Sequence, residues 1–415
     1  MRLFTWIEAA TMITTCLLGC APEAPEEGCA APASKADLWT NGACLRGANI
    51  YQRRVYPDLD GSAMGPGAVG PPYVPGDFEG LAALGANFVD LSHPGIFFET
   101  PPYELDEEVL ENLDAAVDAA AAAGLFSVIS FRTGPGRNEF VFMNEEDPEW
   151  VGESLDDNSV WWSEEAQVAW AEMWRATAER FRDHRAVVAY DLMVEPNANA
   201  LVDAYEPDAF YPAWSGTSYD WNRFYLEIAA AIREVDFATP ILVGALGWSD
   251  VEWLGTLMPT DDQATAYAAH QYRPIAYTSQ APAAGLTYPG RLDADGDGAE
   301  EDFDLDWLLS ALYPVDEYQQ LTGAPVAVNE LGVVRWAPGA AAYLSDEIEV
   351  LEQLDASWAL WLWYPSFEPW VGNDEFSVAN GPDPASHAAM PGNALLETVT
   401  EAFSRNTAFL EDAQW

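Results

Sequence analysis

The sequence predicts a closed (β/α)8 barrel, the TIM type of fold, built as one catalytic domain, and three observations lead there. Short apolar, β-branched runs recur about eight times, amphipathic helical stretches separate them, and these units take up most of the 415 residues. Strand and helix alternating at this density imply a parallel sheet, and eight units imply its closure. With 49% hydrophobic residues, the chain has enough apolar material for one large core.

The expected strands fall at 45–50, 87–91, 126–131, 187–193, 241–245, 266–270, 326–329 and 358–363. Helices are expected at 106–123, 164–183, 220–235, 305–321 and 340–354. The alanine-rich run 115–123 reads as a tightly packed helix, because Gly124 follows it as a helix C-terminus requires. The fourth and seventh apolar runs each lead into a glutamate, Glu195 and Glu330. In a barrel, the C-terminal strand edge is the face on which active sites are built, and two carboxylates converging there are the minimum apparatus for cleaving a glycosidic bond.

Charge narrows the partners. Asp and Glu number 68 against 17 Lys and Arg, a net charge of -51, which repels nucleic acid and anionic polysaccharides and favours a neutral glycan. Such a surface suits a salty environment. The domain order expected is an export signal over 1–20, a tether over 21–36 and the barrel over 37–415. Arg2 precedes an apolar stretch to Gly19 that is too short to span a membrane. Leu17-Leu18-Gly19-Cys20 resembles a bacterial lipobox, so acylation of Cys20 and membrane attachment of an exported lipoprotein are expected; the alternative is simple secretion. The tether is rich in Ala, Pro and Glu. Cys29 and Cys44 are able to pair in an oxidising compartment, a question the sequence leaves open.

Taken in order, the strand ends carry a resemblance. Leu45-Arg46-Gly47-Ala48-Asn49-Ile50, Tyr190-Asp191-Leu192-Met193-Val194-Glu195-Pro196, His270-Gln271-Tyr272, Glu330 and Trp361-Leu362-Trp363 together resemble glycoside hydrolase family 5, the cellulase-like retaining glycosidases, over about residues 40–405. The resemblance implies Glu195 as acid/base, Glu330 as nucleophile, His270 and Tyr272 as substrate-side partners of the carboxylates, and no cofactor for catalysis. Two positions depart from the family pattern. Val194 replaces an asparagine that contacts the sugar 2-hydroxyl, with Asn197 or Asn199 as possible substitutes from the loop. The second strand ends in Asp90-Leu91-Ser92-His93 where an arginine is usual, and the third carries Arg132 where a histidine is usual, so an exchange between His93 and Arg132 is expected.

Aromatic residues are the second functional signal, since apolar sugar faces stack on rings. Trp161, Trp162, Trp248, Trp336, Trp361, Trp363 and Trp370 are candidate platforms, with core packing the default for most; Trp363 is expected as the floor beside the carboxylates. The stretch from Asp293 to Asp304 is similar to an EF-hand loop, with Asp293, Asp295 and Asp297 at positions 1, 3 and 5, Gly298 at 6 and Asp304 at 12, which suits a structural calcium ion. The reading is thus a monomeric retaining glycosidase for β-glucan or β-mannan. Two alternatives stay open: a carbohydrate-binding lipoprotein on a barrel without activity, and a glycosidase for glycolipid headgroups.

Overall fold

The computed structural model describes residues 29, 31–142 and 155–415. The segment 1–20 expected as an export signal, Cys20 included, lies outside the described residues. Eight parallel strands close a barrel: β1 Arg46–Tyr51, β2 Phe88–Pro94, β3 Phe126–Thr133, β4 Val187–Asp191, β5 Ile241–Gly244, β6 Thr265–Gln271, β7 Val326–Leu331 and β8 Ser357–Leu360. Each pairs with its neighbours in sequence, and β8 returns to β1 through Trp358 and Arg46. All eight expected runs form these strands. Their ends differ where apolar character and pairing part company, for β4 stops at Asp191 and β8 at Leu360.

The outer layer holds α1 Pro75–Ala83, α2 Glu107–Ala122, α3 Glu164–Phe181, α4 Trp221–Arg233, α5 Leu305–Ala311, α6 Tyr313–Thr322, α7 Ala340–Gln353 and α8 Ala394–Phe403. Asp106, Ser163 and Asp220 start α2, α3 and α4 by accepting backbone N–H groups that have no partner inside the helix. The helix expected over 305–321 is two helices, because Pro314 lacks an N–H and fits only a first turn. After β5 there is only the 3-10 turn Val251–Thr256. Among the described residues no helix is long and apolar enough to cross a membrane.

The barrel interior is layered, and the layers position the site. Its floor is apolar: Phe88, Val128, Ala189 and Ala327 pack with Leu38, Trp39 and Leu410 from the two ends of the domain. Trp39 donates its indole N–H to the Val188 carbonyl at 3.1 Å, and Trp415 stacks on Phe126. Cys29 and Cys44 form a disulfide just ahead of β1. Above the floor lies a polar layer. Asn329 Nδ2 donates to Asp90 at 3.2 Å and to Asp191 at 2.9 Å, Ser130 donates to Asp90, and Asn49 donates to the Asn329 carbonyl at 2.7 Å. Burial raises Asp191 to about 6, and burial together with the Asp191 charge raises Asp90 well above the usual carboxylate range.

Candidate active site

The two glutamates reach the mouth by different routes. Glu330 lies inside β7, where the register slips: Val328 faces Ala269 on β6, yet Glu330 faces His270. This extra residue is a bulge, and a bulge re-aims side chains. It lets consecutive residues serve the interior, Asn329 in the polar layer and Glu330 above it. Glu195 lies beyond the end of β4, in the left-handed region at φ 54° and immediately before Pro196. A glutamate held there costs about 1–3 kcal/mol, so its surroundings must impose the conformation.

Around them the site is dense. His270 Nδ1 lies 3.1 Å from Glu195 Oε1 and 3.4 Å from Glu330 Oε2, and the Tyr272 hydroxyl donates to Glu330 Oε2 at 3.0 Å. A carboxylate oxygen each of Glu195 and Glu330 and a ring nitrogen of His270 all fall within 4.8 Å of one another. Glu330 is nearly enclosed, whereas the Glu195 side chain keeps 21% of its surface exposed. Burial would lower His270, but the charges of Glu330, Glu195 and Asp191 outweigh it and raise the imidazole to about 9. Burial and the Glu195 charge raise Glu330 to about 7, against the pull of His270, Arg132 and the Tyr272 hydroxyl. Those three opposing groups all favour the ionised carboxylate on Glu330.

The expected exchange of Arg132 and His93 is half realised. Arg132 faces the mouth, but its ion partner is Glu139 at 3.0 Å, and Glu330 feels its charge without direct contact. Its guanidinium lies over Tyr51 and Trp361, at 4.9 Å and 5.6 Å from the ring centroids. His93 is not brought to the carboxylates. It pairs in register with Phe131, which packs on Trp174 of α3, so the alternation of β2 turns His93 outward to the helices. There its ring nitrogens meet the Pro94 carbonyl and Asn112 on α2, at 2.6 Å and 2.9 Å.

Trp363 is likewise placed elsewhere. Its indole N–H donates to the Asp77 carbonyl at 2.8 Å, and its ring lies against Gly80, both on α1. Hydrogen bonding to β1 continues past Leu360 with one residue extra, since the Trp358 N–H meets the Leu45 carbonyl and the Trp363 N–H meets the Asn49 carbonyl, and such a slip reverses the side on which Trp363 stands. Trp361 stands at the mouth, edge-on to Tyr51 at 5.7 Å, and Tyr51 in turn stacks on Trp370. Trp161 is core, donating to Asn197 Oδ1 at 3.1 Å. Asn197 is thereby buried behind Glu195, and Asn199 accepts from the Gly247 N–H at 3.1 Å. Val194 is buried as well.

Asp293, Asp295 and Asp297 do cluster, between the antiparallel strands Gly290–Leu292 and Glu301–Phe303. Asp304 does not join them. It caps α5 by accepting from Asp306 and Trp307, and Glu301 is the nearer carboxylate, accepting from Ala294 at 2.8 Å.

A comparison of the sequence with known families matches residues 77–366 to Cellulase (glycosyl hydrolase family 5). The chain belongs to glycoside hydrolase family 5. This family 5 chain is 23% identical to Endoglucanase C of Acetivibrio thermocellus over 311 residues, which cover 69% of the chain and 82% of that protein. Its fold is similar to Thermotoga maritima Cel5A, solved in complex with cellobiose substrate as a mutant form, with TM-score 0.62 and 18% identity over 89% of this chain and 100% of the other. The same enzyme solved with mannotriose gives TM-score 0.59 at 17% identity over 86% of this chain and 97% of the other. The family 5 chain is thus an O-glycosyl hydrolase on a (β/α)8 barrel.

Several residues of this family 5 site escaped the sequence reading. Glu139 had no signal in a chain of 68 acidic residues. Arg137 had one: with only 17 Lys and Arg in the chain, two arginines within the 131–137 segment mark a place where cations are needed.

Proposed function

We propose that the enzyme hydrolyses a neutral β-linked glucan with retention of configuration, Glu330 acting as nucleophile and Glu195 as acid/base. The observation that carries this reading is the convergence of Glu195, His270 and Glu330, with carboxylate oxygens within 4.8 Å of each other. Retaining glycosidases hold their two carboxyl groups about 5–5.5 Å apart, whereas inverting ones leave room for a water between them. In the first step the Glu330 carboxylate bonds to the anomeric carbon while the Glu195 carboxyl gives its proton to the departing oxygen. In the second, Glu195 takes a proton from water as that water displaces Glu330. Tyr272 and His270 hold Glu330 in its attacking orientation, and His270 bridges to Glu195. The names and bound sugars of the relatives support β-1,4-glucan cleaved internally as the first substrate to try, with mannan second.

Glu330→Ala is expected to abolish turnover. Glu195→Ala is expected to retain activity on aryl glycosides with good leaving groups and to gain further rate with azide. Equal activity of the wild type and Glu330→Ala on β-glucan, mannan and aryl cellobiosides would overturn the assignment. Export with acylation at Cys20, and a structural calcium ion at Asp293, Asp295 and Asp297, complete the proposed picture.

A further inference from the structure

Side chains hold three carbonyls of the backbone that carries Glu195, those of Leu192, Val194 and Glu195, and one of these side chains is costly to place. Arg137 is fully buried. Its Nη1 donates to the carbonyls of Arg132 and Val194, at 2.9 Å and 2.7 Å, and its Nη2 donates to the carbonyl of Glu195 at 2.7 Å. The carbonyls on either side are also taken. Trp170 and Trp174 donate their indole N–H groups to the Leu192 carbonyl, and the backbone N–H of Trp248 donates to the Pro196 carbonyl. Burial works against the charge on Arg137, and Glu195 is the foremost carboxylate that supports it. The Arg137 Nε has no partner, so the guanidinium is committed to these carbonyls at the expense of its own full satisfaction.

Glu195 needs such a clamp. It sits at φ 54°, a conformation disfavoured for a residue with a Cβ, and Pro196 closes off the right-handed alternative. A planar fork with donors in fixed directions is suited to gripping two successive carbonyls, which a lysine ammonium cannot do in the same geometry. We infer that Arg137 is the positioning residue of the acid/base: it fixes the Val194–Glu195 backbone so that the Glu195 carboxyl meets the leaving oxygen. This inference rests on Glu195 being the acid/base, and it adds a residue from the loop after β3 to the machinery.

A residue that acts through the acid/base has a signature that general loosening lacks. Proton delivery matters for a sugar leaving group and hardly at all for dinitrophenolate, which departs unaided. The test compares kcat/KM of Arg137→Lys and Arg137→Gln on cello-oligosaccharides and on dinitrophenyl β-cellobioside, with melting curves alongside and Glu195→Ala as reference. The expected result is a loss of about 10–100-fold on the oligosaccharides with less than about 3-fold loss on the dinitrophenyl substrate, a partial loss of the roughly 100–10,000-fold that general acid catalysis supplies. Equal losses on both substrates, no loss on either, or failure of both variants to fold would overturn the inference. If Glu195→Ala itself shows no dependence on the leaving group, the acid/base assignment falls, and the role given to Arg137 falls with it.

Discussion

Glu347 on α7 offers a direct thermodynamic test of how β6, the strand that carries His270, is backed. It is completely buried, it accepts the Tyr343 hydroxyl at 3.0 Å, and it neighbours Gln271, the residue between His270 and Tyr272. Glu347 Oε2 and Gln271 Oε1 are both buried acceptors without a donor. Burial raises this carboxyl from 4.5 to about 8, against the Tyr343 and Gln271 side chains, which favour the ionised form. The folded state therefore binds the proton more tightly than the unfolded state. The associated stability is fully present below pH 4.5 and is lost as pH rises to about 8. At about 1.4 kcal/mol per unit, the loss over that interval is on the order of 5 kcal/mol. Glu347→Gln keeps the shape, supplies a permanent donor and removes the titration. Its stability relative to wild type, measured by denaturant unfolding at constant ionic strength, is expected to be near zero at about pH 5 and to grow by about 3 kcal/mol or more by about pH 8. Parallel stability curves for the two proteins across that range would refute a neutral Glu347.

Three further outcomes are expected. Val194→Asn should raise turnover about 10-fold on a 2-hydroxy substrate and leave the matched 2-deoxy substrate unchanged, because one hydrogen bond gained mainly in the transition state is worth about 1.4 kcal/mol; Asn197→Ala, with its oxygen committed to Trp161, should not reproduce that selectivity. Chelation should lower the melting temperature by a few degrees, since an ion at 100 times its dissociation constant adds roughly 2.7 kcal/mol, and Asp295→Ala with Asp297→Ala should remove the response. Cys20→Ser should shift the expressed protein from the membrane fraction to the soluble fraction, read by fractionation and by mass spectrometry of the mature N-terminus.

The barrel and the two glutamates at its mouth were legible because both rest on local patterns: buried strands write themselves as apolar runs, and a residue just after such a run lies near the rim. What was not legible depends on register. The bulge that turns both Asn329 and Glu330 inward leaves no mark in composition. A slip of one residue after Leu360 sends Trp363 to α1, although its spacing from Trp361 fits a regular strand. His93 and Arg132 differ only in the parity of their positions on β2 and β3, and a strand displaced by one residue reverses that parity. Asp304 looked like a cation ligand because a helix cap and a metal ligand call for the same carboxylate.

The disulfide between Cys29 and Cys44 has a mechanical consequence. Leu38 and Trp39, which plug the barrel floor, lie in the loop that this bond closes. A pull applied at Cys29 passes through sulfur to the backbone just before β1 and bypasses the plug, so that load does not reach the floor directly. Both described chain ends also meet at that floor, on the side opposite the carboxylates. A domain held by either end would present the face carrying Glu195 and Glu330 away from whatever holds it.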